Sequence, residues 1–137
     1  MSKSSKLFAA DGILSQAISG FTVRQAQTDM ANAVEEAIEH KSALIVEAGT
    51  GTGKTFAYLA PALQAKKKTI VSTGTKNLQE QLFHRDLPLI KKAIGVNGKI
   101  ALLKGRSNYL CLHRLRQHGG SSTLLDRTTM VELSDVR

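Results

Sequence analysis

Apolar residues recur with a helical period in the region before residue 40. They fall every three or four positions, as on one buried helix face, at Val23, Ala26, Met30, Ala33, Val34, Ala37 and Ile38. This spacing predicts a helix over residues 24–39, and Thr22 followed by Gln25 has the form of a capping box at its start. Residues 1–20, in which two glycines bracket a short apolar stretch, are predicted to be a loosely ordered N-terminal lead-in.

Three short apolar runs follow and alternate with further helical patterns. These runs have the length and composition of buried strands and span residues 43–47, 69–72 and 99–103. The intervening patterns predict helices over residues 54–65, over 76–94 and over a short basic segment ending near residue 118. Pro61 should kink the first of these or start a new segment. The alternation predicts an α/β fold, a parallel sheet flanked by helices, of which three strands form only the first part.

Composition places the chain among soluble globular proteins. Hydrophobic residues make up 42% and charged residues 22% of its 137 residues, and no apolar run is long enough to cross a membrane. The single cysteine permits no internal disulfide, which predicts a cytoplasmic location. The net charge of +8 is one-sided, because residues 61–137 contain fourteen Lys/Arg and five Asp/Glu, whereas residues 1–60 contain five and six. This basic half fits either a polyanionic partner such as nucleic acid or an ordinary solvated surface.

A glycine-rich segment between the first predicted strand and the next helix has the form of a phosphate-binding loop. The predicted nucleotide-binding residues are Ala48, Gly49, Thr50, Gly51, Thr52, Gly53, Lys54 and Thr55. Alternate glycines allow backbone N–H groups to converge on phosphate oxygens. Lys54 should reach the β- and γ-phosphates, and Thr55 should place its hydroxyl on Mg²⁺, so these two are the predicted catalytic residues. The strict pattern has glycine where Ala48 stands, a change that matters only if this residue needs a positive φ. ATP or GTP is therefore the expected ligand, and a glycine-rich turn with an incidental Gly-Lys-Thr is the weaker alternative.

Four segments, in this order and spacing, carry a resemblance to a known family. They are Arg24 with Gln27, residues 47–55, residues 72–82, and the run Lys-Gly-Arg-Ser-Asn-Tyr-Leu-Cys at 104–111. Together they resemble the N-terminal part of the DinG/YoaA-type helicases, bacterial relatives of the XPD iron–sulfur helicases, and are most similar to the YoaA branch. The resemblance covers most of residues 10–118.

The resemblance implies a domain division. Residues 21–104 would be the first part of a RecA-like, ATP-binding P-loop motor domain, after the lead-in of residues 1–20. Residues 105–137 would begin an iron–sulfur domain. Within that last part, residues 119–122 read Gly-Gly-Ser-Ser and predict a flexible linker, and residues 123–137 have no clear period.

The resemblance also implies roles for individual residues. Arg24 and Gln27 would sense the nucleotide, with the Gln27 amide on the adenine edge, although from sequence alone they could be a polar helix face. The residues that would grip the backbone of single-stranded DNA, or otherwise form an ordinary turn capped by threonine, are Thr73, Gly74, Thr75, Lys76 and Gln79. Cys111 would be the first of four thiolates that hold a [4Fe–4S] cluster, with the other three outside these 137 residues; by default it is a free cysteine.

The chain contains no Asp-Glu-Ala-His motif, from which this family takes its magnesium-binding and water-orienting carboxylates. Asp86, Glu132 and Asp135 stand in other contexts. We therefore expect an N-terminal fragment that is inactive alone, from an enzyme that uses ATP, Mg²⁺ and a [4Fe–4S] cluster. The full-length protein would be an ATP-dependent DNA helicase that moves 5′ to 3′ on single-stranded DNA, in repair. The alternatives are a P-loop ATPase or kinase without a DNA role, and a non-catalytic nucleic-acid-binding remnant.

Overall fold

The structure, a computed structural model, describes residues 2–118. The chain divides into two compact units, residues 1–101 and residues 102–137. The helices of the first unit are α1 (Lys3–Leu7), α2 (Ile13–Ala17), α3 (Gln25–His40), α4 (Lys54–Gln64), α5 (Lys76–Gln81), a π-helix (Leu82–Asp86) and α6 (Leu87–Ile94). The second unit contains a 3₁₀ turn (Arg106–Asn108) and α7 (Leu112–His118), so the short basic helix predicted to end near residue 118 is confirmed.

Helices α3 and α4 lie side by side and run in the same direction. Near their starts the Gln27 side chain reaches Gly53, and near their ends Lys67 Nζ donates to the Ile38 carbonyl over 3.3 Å. The predictions of helices over residues 24–39 and 54–65 are confirmed to within a residue at each end. The buried core of the first unit consists of Leu7, Phe8, Leu14, Ala31, Ala57, Leu59, Ala60, Leu82 and Ile90. Alanines in this core allow the α3 and α4 backbones to approach closely.

The N-terminal segment is ordered, which corrects the prediction of a loose lead-in. Helices α1 and α2 bury Leu7 and Leu14, and Phe8 between them is also buried. Short helices of this kind depend on tertiary contacts because nucleation is costly. The predicted capping box is also wrong, since α3 begins at Gln25 with Arg24 as its N-cap and has no side-chain cap hydrogen bond.

The helical region around residues 76–94 is interrupted by the π-helix. Pro88 is the second residue of α6, which follows the π-helix directly, and as a proline it has no N–H to donate to a carbonyl of the preceding turn; Gly95 ends α6 at φ +67°. Helix α4 continues through Pro61 without starting a new segment there. No helix within residues 2–118 has the length and apolar character needed to cross a bilayer.

The predicted sheet is not formed within residues 2–118. The segments 43–47, 69–72 and 99–103 contain no strand, and one residue in each, Ile45, Ile70 and Leu103, is 97%, 91% and 82% exposed, respectively. A buried parallel strand needs paired neighbours at its edges and helices on its faces. These segments have the composition of strands, but in the described part of the chain no neighbouring strands pair with them and no helices cover their apolar side chains. The core of the first unit is formed by helices that pack against one another.

Candidate nucleotide-binding site

The predicted phosphate loop turns sharply into α4. Gly53 is the N-cap of α4 with φ +80° and ψ +26°, and Gly51 has φ +77°, conformations that glycine adopts without a steric cost. Within residues 2–118, the non-glycine residues with positive φ are Lys41 and Lys66. Ala48 therefore does not need the freedom of glycine, and its departure from the strict loop pattern carries no backbone strain.

The loop has hydrogen-bond donors that could receive an anion. Within residues 2–118, the backbone N–H groups of Gly49, Gly51 and Gly53 make no hydrogen bond. The first hydrogen bonds of the turn into α4 run from Phe56 N–H and Ala57 N–H to the Gly53 carbonyl, over 3.1 and 3.2 Å. The positive end of the α4 dipole thus meets a loop with unused donors, an arrangement suited to phosphate.

The Lys54 ammonium group is bound to the loop itself. Its Nζ donates to the Ala48 and Gly49 carbonyls over 2.7 and 2.6 Å, and Thr52 Oγ1 also donates to the Gly49 carbonyl. Phosphate oxygens are stronger partners for an ammonium group than neutral carbonyls are. A nucleotide that enters this loop would exchange those two contacts for charge-assisted ones.

Arg24 and Gln27 contact the phosphate loop from the start of α3. The Arg24 guanidinium donates through Nη1 to the Gly51 carbonyl. Gln27 is buried and donates through Nε2 to the Gly53 carbonyl over 2.9 Å. Each of the two loop glycines with positive φ therefore accepts a hydrogen bond from α3 or its N-cap: Gly51 from Arg24 and Gly53 from Gln27. The structure places the predicted nucleotide-sensing pair at the loop, and reading of the adenine edge stays a prediction.

Thr55, the predicted magnesium ligand, lies in the first turn of α4, three residues before Tyr58. The pKa of the Tyr58 hydroxyl is raised above its ordinary value, first by burial and also by the negative charge of Asp86. The neighbouring Thr55 side chain lowers this pKa, but by less than burial and Asp86 together raise it. Sequence reasoning did not identify Tyr58 as part of the site. The available signal was its position three residues after Thr55 on a helix that begins at the loop.

The predicted DNA-contact segment forms the turn into α5. Thr75 is the N-cap of α5, where its Oγ1 accepts a hydrogen bond from Leu78 N–H over 3.3 Å, and Thr73 Oγ1 donates to the Thr75 carbonyl. Gly74, Thr75 and Lys76 are exposed, whereas Gln79 is half-buried. The predicted threonine cap is confirmed, and contact with DNA stays a prediction.

Cys111 lies in the second unit, exposed and outside any disulfide. In the same segment the Tyr109 hydroxyl accepts a hydrogen bond from Lys104 N–H over 2.8 Å. Within residues 2–118 no three His, Cys, Asp or Glu side chains form a group that could hold a metal ion. Because a [4Fe–4S] cluster needs four protein ligands and this chain has one cysteine, its residues alone do not fit the cluster.

Comparison with known proteins places the chain among helicases. A sequence profile described as DEAD/DEAH box helicase matches residues 25–129. Relatives named ATP-dependent DNA helicase YoaA are 63% identical over 131 residues in Haemophilus influenzae and 64% identical over 110 residues in Escherichia coli. A relative named ATP-dependent helicase DinG, from Mycobacterium tuberculosis, is 44% identical over 124 residues. The predicted similarity to the DinG/YoaA-type helicases, and to the YoaA branch in particular, is confirmed.

These matches cover most of this chain but little of each relative. They span 96%, 80% and 85% of the chain and 20%, 17% and 19% of the three relatives. The chain therefore spans about a fifth of the length of the curated relatives that it matches. No solved structure matches it.

Proposed function

Because the chain belongs to the DEAD/DEAH box helicase family, we propose that it supplies the nucleotide-binding loop of an ATP-dependent DNA helicase. The observation that carries this proposal is the loop geometry, in which Gly51 and Gly53 turn the backbone at positive φ into α4, beside Lys54. The names of the relatives agree with this function. The fold that we propose for the complete protein is RecA-like, with the exposed apolar segments as strands once neighbouring strands pair with them.

Each loop residue has a role that follows from its chemistry. The backbone N–H groups of the loop and the start of α4 would hold the phosphates, and Lys54 would leave the Ala48 and Gly49 carbonyls to bind the terminal phosphate. Thr55 would hold Mg²⁺ through its hydroxyl, and when bound, Mg²⁺ neutralises charge that develops on the phosphates. Arg24 and Gln27 would fix the loop turn and sense the base.

The proposed polymer substrate is single-stranded DNA, held by the half-buried Thr73 and the exposed Thr75 and Lys76. Hydroxyl and ammonium groups contact phosphates without reading bases, as a translocating enzyme requires. Movement from 5′ to 3′ and a role in DNA repair are proposed from the resemblance to the family. Cys111 is proposed as a cluster ligand only together with three cysteines outside this chain.

The test compares full-length wild-type protein with Lys54→Ala, and uses Lys68→Ala, an exposed lysine away from the loop, as a matched control. We expect Lys54→Ala to lower DNA-stimulated ATP hydrolysis about a hundred-fold or more, since it removes the cation from the terminal phosphate. Lys68→Ala should retain wild-type turnover. Unchanged turnover in Lys54→Ala would overturn the proposal. ATP hydrolysis that single-stranded DNA does not stimulate would instead favour a P-loop ATPase without a DNA role.

A further inference from the structure

Four lysines lie together at the C-terminal ends of α3 and α4. Lys41 is the C-cap of α3, and Lys66, Lys67 and Lys68 follow the end of α4. Lys67 Nζ donates to the Ile38 carbonyl in the last turn of α3, so the two helix ends are in contact. All four lysines are exposed, and we refer to them as the lysine cluster.

Two of these lysines have a backbone conformation that favours glycine. Lys41 has φ +54° and Lys66 has φ +52°. Helix α6 ends in the same conformation with a glycine, Gly95 at φ +67°. After both α3 and α6, the residue that follows the one with positive φ donates its N–H to the last helical turn, over 3.0 and 3.1 Å. A left-handed residue with a Cβ atom costs free energy that glycine avoids. Backbone stability alone therefore does not select lysine at these positions.

The hydrogen-bond needs of the helix ends do not explain the two lysines either. Lys67, whose φ is not positive, already binds the end of α3 through the Ile38 carbonyl. Within residues 2–118 none of the four ammonium groups forms an ion pair. Glu39, the acidic residue nearest to Lys41 in sequence, lines a cavity together with Ser2 of the N-terminal segment. The lysine cluster is thus a concentration of like charge, which is unfavourable until an anionic partner binds.

The lysine cluster is separate from the nucleotide-binding loop. Helices α3 and α4 run in the same direction, with their starts at the loop and their ends at the cluster. Helix α4 has 11 residues and is therefore about 16 Å long. Residues 40–42 and 65–68 contain no arginine, the residue that best matches phosphate geometry, and no Phe, Tyr or Trp on which bases could stack. These features favour carboxylates over nucleic acid as the bound anion.

We propose that the lysine cluster binds an acidic segment of a partner protein. Its exposed ammonium groups pair with the Asp and Glu side chains of that segment, and this complementarity steers the two proteins together. Left-handed lysines in place of glycine lower stability in exchange for the interaction, as is common at functional positions. The surface lies outside the nucleotide site, so the inference goes beyond the proposed function and does not depend on nucleotide turnover.

The test measures binding of a short fluorescein-labelled poly-glutamate peptide to the full-length protein by fluorescence anisotropy at low salt. The cluster variant, Lys41→Gln/Lys66→Gln/Lys68→Gln, removes positive charge and keeps Lys67 on its carbonyl partner in α3. We expect the cluster variant to bind the peptide about ten-fold more weakly than wild type, the combined effect of losing several exposed ion pairs.

Two further variants separate partner binding from net charge and from stability. The control variant, Lys6→Gln/Lys92→Gln/Lys99→Gln, removes the same charge from exposed lysines elsewhere and should keep the wild-type peptide affinity. The glycine variant, Lys41→Gly/Lys66→Gly, relieves the left-handed backbone, so it should melt at or above the wild-type temperature and yet bind the peptide more weakly. Wild-type peptide affinity with a lower melting temperature would show that these two lysines serve the fold, and would overturn the inference.

Two other results would also overturn it: equal peptide affinity in the cluster and control variants, or a wild-type protein that does not bind the peptide. Single-stranded DNA identifies the class of partner. We expect the cluster variant to bind this DNA as the control variant does, and a ten-fold weaker affinity would indicate a nucleic-acid site instead. Absence of DNA-stimulated ATP hydrolysis in wild-type protein would overturn the proposed function alone and leave the peptide result standing.

Discussion

At Gly53, backbone conformation and a neighbouring side chain restrict the same position. The residue has φ +80°, and a Cβ atom built there would lie 2.1 Å from Gln27 Nε2. We predict that Gly53→Ala weakens ATP binding roughly ten- to a hundred-fold, because strain of about 1–3 kcal/mol falls on the loop that holds the phosphates. Equilibrium binding of a fluorescent ATP analogue measures this directly.

Two companion variants separate the sources of that loss. Gly49→Ala should weaken binding far less, since φ there is not positive and nothing lies within 4 Å of an added Cβ. Gly53→Ala in a Gln27→Ala background removes the clash but keeps the backbone strain, so the loss that Gly53→Ala adds to Gln27→Ala should be smaller than the loss it causes in the wild-type protein. If Gly49→Ala and Gly53→Ala weaken binding equally, the conformational explanation is wrong.

Glu35 links α3 to the start of α1. Its carboxylate accepts hydrogen bonds from Lys3 N–H and Ser4 N–H over 3.2 and 2.8 Å. Partial burial opposes ionisation, but hydrogen bonds donated by Ser4 and Lys3 hold the pKa of Glu35 below its ordinary value of 4.5. A carboxyl group whose pKa is lowered by folding stabilises the folded state at any pH above the pKa that it has in the unfolded chain. This stabilisation is lost as the pH falls through the lower pKa of the folded state.

We therefore predict that Glu35→Gln destabilises α1 by about 1 kcal/mol at neutral pH, the usual effect of losing a helix cap at a partly exposed site. Faster amide exchange of residues 3–7 should report it. The difference from wild type should shrink as the pH falls below 4.5. Glu36→Gln, an exposed neighbour, should exchange as wild type does at every pH. A difference for Glu35→Gln that persists in acid would show that charge is not the cause.

At the scale of single elements, α5 depends on one cap. Thr75 accepts the hydrogen bond from Leu78 N–H and is also a proposed DNA contact. Thr75→Ala should destabilise α5 by about 1 kcal/mol and weaken DNA binding. Thr75→Asp should keep the cap, because aspartate is an equally good N-cap, yet weaken DNA binding through charge repulsion. Amide exchange of residues 76–81, measured beside single-stranded DNA affinity, distinguishes the two effects; equal DNA affinity in Thr75→Asp and wild type would exclude a contact there.

The elements that sequence predicted well are those whose signal is local. Helices α3 and α4 follow from their apolar period, and the end of α6 at Gly95 follows from the conformational freedom of glycine. Helices α1 and α2 have five residues each, too few to show a period, and α1 is bonded to a residue distant in sequence, Glu35. The burial of Asp86 also arises from tertiary packing, so the sequence carries no local signal for it.

The features of the candidate site also fall into those with a local sequence signal and those without one. The loop itself was predictable because its glycines and Lys54 have a fixed spacing with a physical purpose. The contacts of Arg24 and Gln27 with Gly51 and Gly53 were not, because they join residues 27 and 26 positions apart in the chain. The three apolar runs indicate which side chains a strand would bury, but they do not indicate which other strands would pair with it.

For the whole molecule, the uneven charge predicts how DNA affinity depends on salt. Affinity of the full-length protein for single-stranded DNA should fall linearly with the logarithm of salt concentration. Lys76→Ala should reduce the slope by about 0.7, the value expected for one lost phosphate contact on a single strand. Lys6→Ala changes an exposed lysine outside the basic half and should leave the slope unchanged. An unchanged slope in Lys76→Ala would remove this lysine from the proposed interface.

The exposed apolar segments predict how the isolated chain behaves. Ile45 and Ile70 are 97% and 91% exposed in stretches that carry β-branched residues, which is a recognised aggregation hazard. We predict that residues 1–137 alone self-associate in the micromolar range and bind an apolar dye. Ile45→Thr with Ile70→Thr keeps the β-branched shape but lowers apolar area, so it should reduce both signals in light scattering and dye fluorescence. Val23→Thr, at a single half-exposed site, should change neither. A wild-type chain that stays monomeric without binding dye would mean that these segments are covered in solution, and the sheet predicted from sequence would then be the natural explanation.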